Sequence, residues 1–117
     1  MSTSASDVQA VRAVKVSVTG ELLRVDLADG RRLAVPTAWY PRLAHGTARE
    51  RSHWRLIGQG AGIHWPDLDE DISVEGLLAG RRSAETPQSL KRWLSLRTST
   101  RTERSIKALP RKSRRRQ

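Results

Sequence analysis

The sequence contains no cysteine, which excludes disulfide bridges and thiolate metal sites and is compatible with a reducing compartment. It has no run of about eighteen apolar residues, the length that would span a bilayer as a helix. Its start, "MSTSASDVQA", carries neither a basic flank nor an apolar core, so no secretory signal is expected. These absences together predict a cytoplasmic protein without a membrane partner. Helix-turn-helix pairs and zinc-finger spacings are missing too, which argues against sequence-specific DNA reading.

Acids are nearly missing from one end of the chain, and this absence divides it. Residues 91–117 hold 11 Lys and Arg against a single acid, Glu103, whereas residues 1–90 hold 11 bases and 11 acids. The net charge of +10 therefore lies entirely on a C-terminal segment attached to a neutral body. At 117 residues the chain has room for one small domain and an appendage.

What is present reads as an α+β domain. Strict alternation places Val14, Val16 and Val18 on one side of a first strand, and Thr19-Gly20 reads as a turn. Leu23, Val25 and Leu27 alternate before Asp29-Gly30, and Leu33 and Val35 after it, a strong hairpin signal. Three antiparallel strands are expected between residues 13 and 35, with Pro36 closing the last. Trp39, Tyr40 and Leu43 have helical spacing interrupted by Pro41 and Gly46. In "TARE", Thr47 and Glu50 have capping-box spacing. The short helix they open is expected to turn Arg49 and Arg51 outward and Ala48 inward. "WRLIGQGAGIHW" predicts a second hairpin around a Gly-rich turn. Ser73 is a plausible cap for a short helix ending near Gly80, with Ile72 and Leu77 at hydrophobic-staple spacing.

The expected organisation is a flexible N-terminus over 1–10 and a small α+β domain over 11–82. A linker and amphipathic helix follow over 83–97, then a basic, disordered tail over 98–117. In "TPQSLKRWLSLR", Thr86 caps and Pro87 takes the first helical position, where a missing N–H is harmless. Leu90, Trp93 and Leu94 form an apolar ridge, the expected partner-binding residues.

The densest chemistry lies in "GIHWPDLDEDIS", residues 62–73. Asp67, Asp69 and Asp71 alternate as in a calcium loop, but position six would be Ile72 and position twelve Leu78. The sharp turn and the bidentate ligand are both missing. A small metal-dependent hydrolase or nuclease using His64, Asp67, Asp69 and Asp71 is the enzymatic alternative. The structural reading explains more: Trp65, Leu68 and Ile72 anchor the stretch to the core while the acids stay solvated. "GQGAG" is not followed by a helix, as a phosphate loop requires. His45 and His53 lie too far apart for the helical zinc spacing. No catalytic residue, metal or cofactor is expected.

The ordered strings "ADGRRLAVP", "WYPRLAHGTARERSHW" and "GIHWPDLDEDISVEGLLAG" resemble the small bacterial proteins grouped as domain of unknown function 2442, over about residues 10–82. The resemblance implies a compact α+β domain with no established activity. Some members of that group carry a helix-turn-helix domain, and a common neighbouring gene has prompted toxin–antitoxin proposals. Here a basic helix and tail stand in place of the DNA-binding domain.

The expectation is thus a non-enzymatic binding or regulatory protein. Its body would dock a protein partner, as an antitoxin does, while its basic end contacts nucleic-acid phosphates without reading sequence. The expected contacts are Lys91, Arg92, Arg97, Arg101, Arg104, Lys107, Arg111, Lys112, Arg114, Arg115 and Arg116. An inhibitor from a mobile element, acting on a nucleic-acid-processing complex, is the other non-enzymatic reading.

Overall fold

The computed structural model describes the backbone of residues 11–108 and the side chains of residues 11–98. The expected flexible start, 1–10, and the end of the expected tail, 109–117, lie outside the described residues. The chain divides into two compact units, the first ending at Ala84 and the second beginning at Glu85.

The first unit opens with an antiparallel sheet of order β1-β2-β3, comprising β1 (Ala13–Val18), β2 (Leu22–Leu27) and β3 (Arg32–Pro36). The alternation in β2 works as read: Leu23, Val25 and Leu27 are all buried. Val25 lies opposite Val16 on one side and Leu33 on the other, and Leu23 lies between Val18 and Val35. Each such burial contributes roughly 1.5–3 kcal/mol. At the hairpin turn, the Asp29 carboxylate accepts the Arg31 backbone N–H at 3.0 Å.

One expectation fails in β1. Val14 is 55% exposed, and Ala13 is buried together with Val16. The register shifts between Ala13 and Lys15, where the strand carries a bulge. An extra residue on one strand reverses which side chains face inward on either side of it.

Two short helices follow a buried corner. Thr37 is fully buried and its hydroxyl donates to the Thr19 carbonyl at 2.9 Å. Pro41 does not interrupt a helix; it opens one, α1 (Pro41–His45). The helix α2 (Ala48–Ser52) has the reciprocal capping box read from "TARE", with both Thr47–Glu50 hydrogen bonds present. Arg49 is exposed as read, but two positions depart from expectation: Ala48 is exposed and Arg51 half-buried. The Arg51 guanidinium turns back to donate to the carbonyls of Leu43 and Ala44 at 2.8 and 2.9 Å. A cation there adds a partner to the C-terminal carbonyls of α1, of which Leu43 also accepts the Gly46 N–H at 3.1 Å.

The second sheet has order β4-β5-β6, with β4 (Arg55–Ile57), β5 (Gly62–Trp65) and β6 (Glu70–Ser73). The hairpin read from "WRLIGQGAGIHW" is β4–β5; the third strand was not legible. The turn from β4 to β5 approaches the start of β1 closely. A Cβ added to Gly60, whose φ is +95°, would lie 2.6 Å from the Ala13 carbonyl oxygen.

The strand β6 leads directly into α3 (Val74–Leu78). The Ser73 hydroxyl accepts the Gly76 N–H, and the staple pair Ile72 and Leu77 is buried. The helix ends in a Schellman motif, with Arg81 N–H donating to Gly76 and Gly80 N–H to Leu77.

The second unit contains α4 (Pro87–Ala108). Thr86 caps it, accepting the Ser89 N–H at 3.1 Å. The helix was expected to stop at 97, but it continues through Thr98-Ser99-Thr100. These residues cost only a fraction of a kcal/mol each in a helix. Thr98 returns its hydroxyl to the Leu94 carbonyl at 3.1 Å. No glycine or proline interrupts the run from 88 to 108.

Candidate functional site

The acidic stretch is a β-hairpin. The strands β5 and β6 pair with Trp65 opposite Glu70, and the residues between them make the turn. Leu68, at the tip of that turn, is fully buried along with Trp65. The Trp65 indole N–H donates to the Arg51 carbonyl at 3.0 Å. Asp69 occupies the left-handed region, φ 51°, which Asp tolerates better than most residues.

The three aspartates go to three different partners. Asp67 accepts a hydrogen bond from His53 at 2.7 Å, and Asp71 pairs with His64 across the hairpin. Arg42 reaches the Asp69 carbonyl at 3.0 Å and its carboxylate at 3.4 Å. Asp69 is itself 88% exposed in its side chain. Among the described residues, no three His, Asp or Glu side chains gather where they could hold an ion. The period-two spacing that resembles a calcium loop reflects turn geometry and surface pairing.

The described part of the basic segment belongs to α4. Lys91 and Arg92 are exposed, and the partner-binding candidates Leu90, Trp93 and Leu94 are half-buried. The Arg97 guanidinium lies 4.7 Å from the centroid of the Trp93 ring. One helical turn apart, the two make a cation–π pair. Arg101, Arg104 and Lys107 fall within the helix backbone. Arg111, Lys112, Arg114, Arg115 and Arg116 lie outside the described residues.

Helical register sorts these positions. At about 100° per residue, positions 97, 101 and 104 share one face and continue the ridge of Leu90, Trp93 and Leu94. Lys91 and Arg92 lie about 120° and 140° from position 97 on the same count.

The described residues of the first unit include two hollows. A shallow one of about 180 Å³ lies on the outer face of the first sheet, lined by Lys15, Ser17, Arg24, Asp26 and Arg32. Arg32 donates to Asp26 at 2.7 Å, which raises its pKa. The second, about 290 Å³, runs between β6 and the segment 81–84. That segment reads as a linker in the sequence, yet it is tied down at several points. The Tyr40 hydroxyl donates to the Arg81 carbonyl at 2.7 Å, and Ser83 N–H donates to the Trp39 carbonyl at 3.1 Å. The Arg82 guanidinium lies 4.6 Å from the Trp39 ring centroid. Burial, and secondarily the nearby charge of Glu70, raises the Tyr40 pKa. Nothing in "RRSA" announces this role, because its anchors are contributed by Trp39 and Tyr40, far off in sequence.

These observations define a class: a small α+β domain of two three-stranded antiparallel sheets, followed by a separate helical unit. The chain belongs to the family described as Protein of unknown function (DUF2442), whose model matches residues 13–83. Among solved structures it is similar to a protein of unknown function from Rhodospirillum rubrum, at 32% identity and a TM-score of 0.56. That likeness covers 63% of this chain and 92% of the other. An uncharacterised protein from Chromobacterium violaceum shares the fold, with a TM-score of 0.56 at 21% identity over 72% of this chain and 84% of its own. Among curated proteins, none matches this chain. The family match includes the tied-down segment to residue 83 and stops before α4.

Proposed function

We propose that this protein is a non-enzymatic binding module whose body docks a protein partner while its C-terminal segment engages nucleic-acid phosphates. The observation that carries the reading is the charge division: residues 1–90 are neutral, and residues 91–117 hold the whole net +10. Within the body, Asp29, Asp26, Asp67, Asp69 and Asp71 each have a basic partner. Carboxylates committed to such pairs favour an architectural role over a catalytic one. On the helix, positions 97, 101 and 104 form one basic line, about 10 Å long at 1.5 Å per residue. A strand of duplex presents a phosphate for about every 3.4 Å of axis, so three contacts fit along that line.

The test is the salt dependence of binding to a random-sequence duplex, read by fluorescence anisotropy with the full chain. Log K should fall linearly with log salt, by about 0.9 for each phosphate neutralised. Replacing Arg111, Lys112, Arg114, Arg115 and Arg116 with Gln should weaken binding and flatten that slope. An unchanged slope and affinity would remove the proposal. Changing Lys91 and Arg92 to Gln should flatten it less than changing Arg97, Arg101 and Arg104.

A further inference from the structure

We infer that the groove beside β6 receives an extended acidic segment of a protein partner, which adds to β6 as a fourth strand of the second sheet. The inference rests on the reading that the body docks a protein, and it names the surface and the chemistry of what docks.

The first ground is the strand edge. In the order β4-β5-β6, one side of β6 is paired by β5 and the other is a sheet edge. Among the described residues, no turn or loop backbone group bonds to the backbone of Asp71 or Ile72 along that edge, while Ser73 at its end caps α3. Unpaired edges are templates for another strand, and proteins usually block or cover them. The edge strand β3 of the first sheet ends in Pro36, which has no N–H to offer. No proline interrupts β6.

The second ground is the wall opposite. Residues 81–84 line the groove facing β6, but they are bonded to Trp39 and Tyr40. The gap between strand and wall is therefore built into the fold. An incoming segment need not order the wall first, which lowers the cost of binding. Main-chain hydrogen bonds would supply affinity, and alternate side chains would face the wall. The four residues of β6 accommodate about 13 Å of strand.

The third ground is charge. On the strand side the groove is lined by Glu70 and by Asp71, which is paired with His64, while Arg81 and Arg82 stand on the wall. An acidic side chain at alternate positions of the incoming strand would meet those two guanidinium groups.

The experiment uses the full chain, labelled with nitrogen-15, and a synthetic peptide of alternating valine and glutamate. Amide shifts are expected at residues 70–73 and 81–84. An otherwise identical peptide with N-methyl groups on alternate residues should bind at least about tenfold more weakly, the effect of one or two lost hydrogen bonds. Arg81→Glu should shift preference toward a valine–lysine peptide. Shifts confined to residues 87–117 would mean that the peptide meets only the basic segment, and would overturn the inference. Equal binding of the N-methylated peptide would overturn it as well. Shifts elsewhere within residues 13–80 would overturn the groove but leave protein docking standing, and the duplex titration is independent of both.

Discussion

In the first sheet the strands are six, six and five residues long, and their own alternating side chains fill the core. In the second they are three, four and four residues long, and Leu68 from a turn is buried as deeply as Ile63 and Trp65 from a strand. A long strand specifies its buried face through repetition. A short one cannot, because two inward positions are too few to distinguish a face from chance. The second sheet is held instead by large buried anchors, Trp65 at a strand end and Leu68 in the turn, and by the Ser73 cap that follows it.

The comparison breaks most sharply at those anchors. Trp65→Ala should cost about 3–5 kcal/mol and Leu68→Ala about 2–5 kcal/mol, measured by urea unfolding. That would make one turn residue as costly as Leu23→Ala in the middle of the first sheet. A loss well under 1 kcal/mol for Leu68→Ala would show that the turn is not an anchor. Gly60→Ala probes the corner where the sheets meet. The new methyl would oppose the Ala13 carbonyl in a left-handed backbone, and the forced shift should cost about 1–3 kcal/mol.

Tyr40 tests the connection between the sheets through pH. Its pKa is raised from the ordinary 10.0 by burial first and by Glu70 second. The folded state therefore favours the protonated phenol. Its contribution is complete below pH 10.0 and is lost as pH rises through the raised value. Urea midpoints of the wild type should fall more steeply above that pH than those of Tyr40→Phe. At neutral pH the substitution should cost about 1 kcal/mol for the lost hydrogen bond to Arg81.

The smallest effects belong to the aspartates. Asp71→Asn and Asp67→Asn break exposed pairs and should cost at most about 1 kcal/mol. Asp69→Gly places a residue suited to left-handed backbone at the turn, and its melting temperature should match or exceed wild type. Unfolding by any of these three would show that the pairs carry the second sheet, and would overturn the assignment of that role to Trp65 and Leu68.

Much of the first unit was legible in the residues. The alternation of Leu23, Val25 and Leu27, the Thr47–Glu50 cap and the Ser73 cap are local patterns, and local patterns act within a few residues. The errors share a different cause. The bulge near Val14 depends on pairing with β2, and Arg51 turns inward because the carbonyls of α1 lie behind it. The strand β6 was hidden because its outward acids resemble a solvated loop, and only pairing with β5 makes them a strand. At the candidate sites, the basic run was visible as composition, but its division by helical face required α4 to continue to Ala108. The groove beside β6 was not visible at all.

By itself, the sequence determined where the charge lies, where helices begin, and which side chains of β2 face inward. Each follows from residue identity and from the fixed periods of the backbone. Tertiary structure alone decided that the aspartates have separate partners, that residues 81–84 are tied to Trp39 and Tyr40, and that β6 is the last strand of its sheet. Those are relations between residues distant in the chain, and they exist only once folding brings Trp39, Tyr40 and Arg81 together.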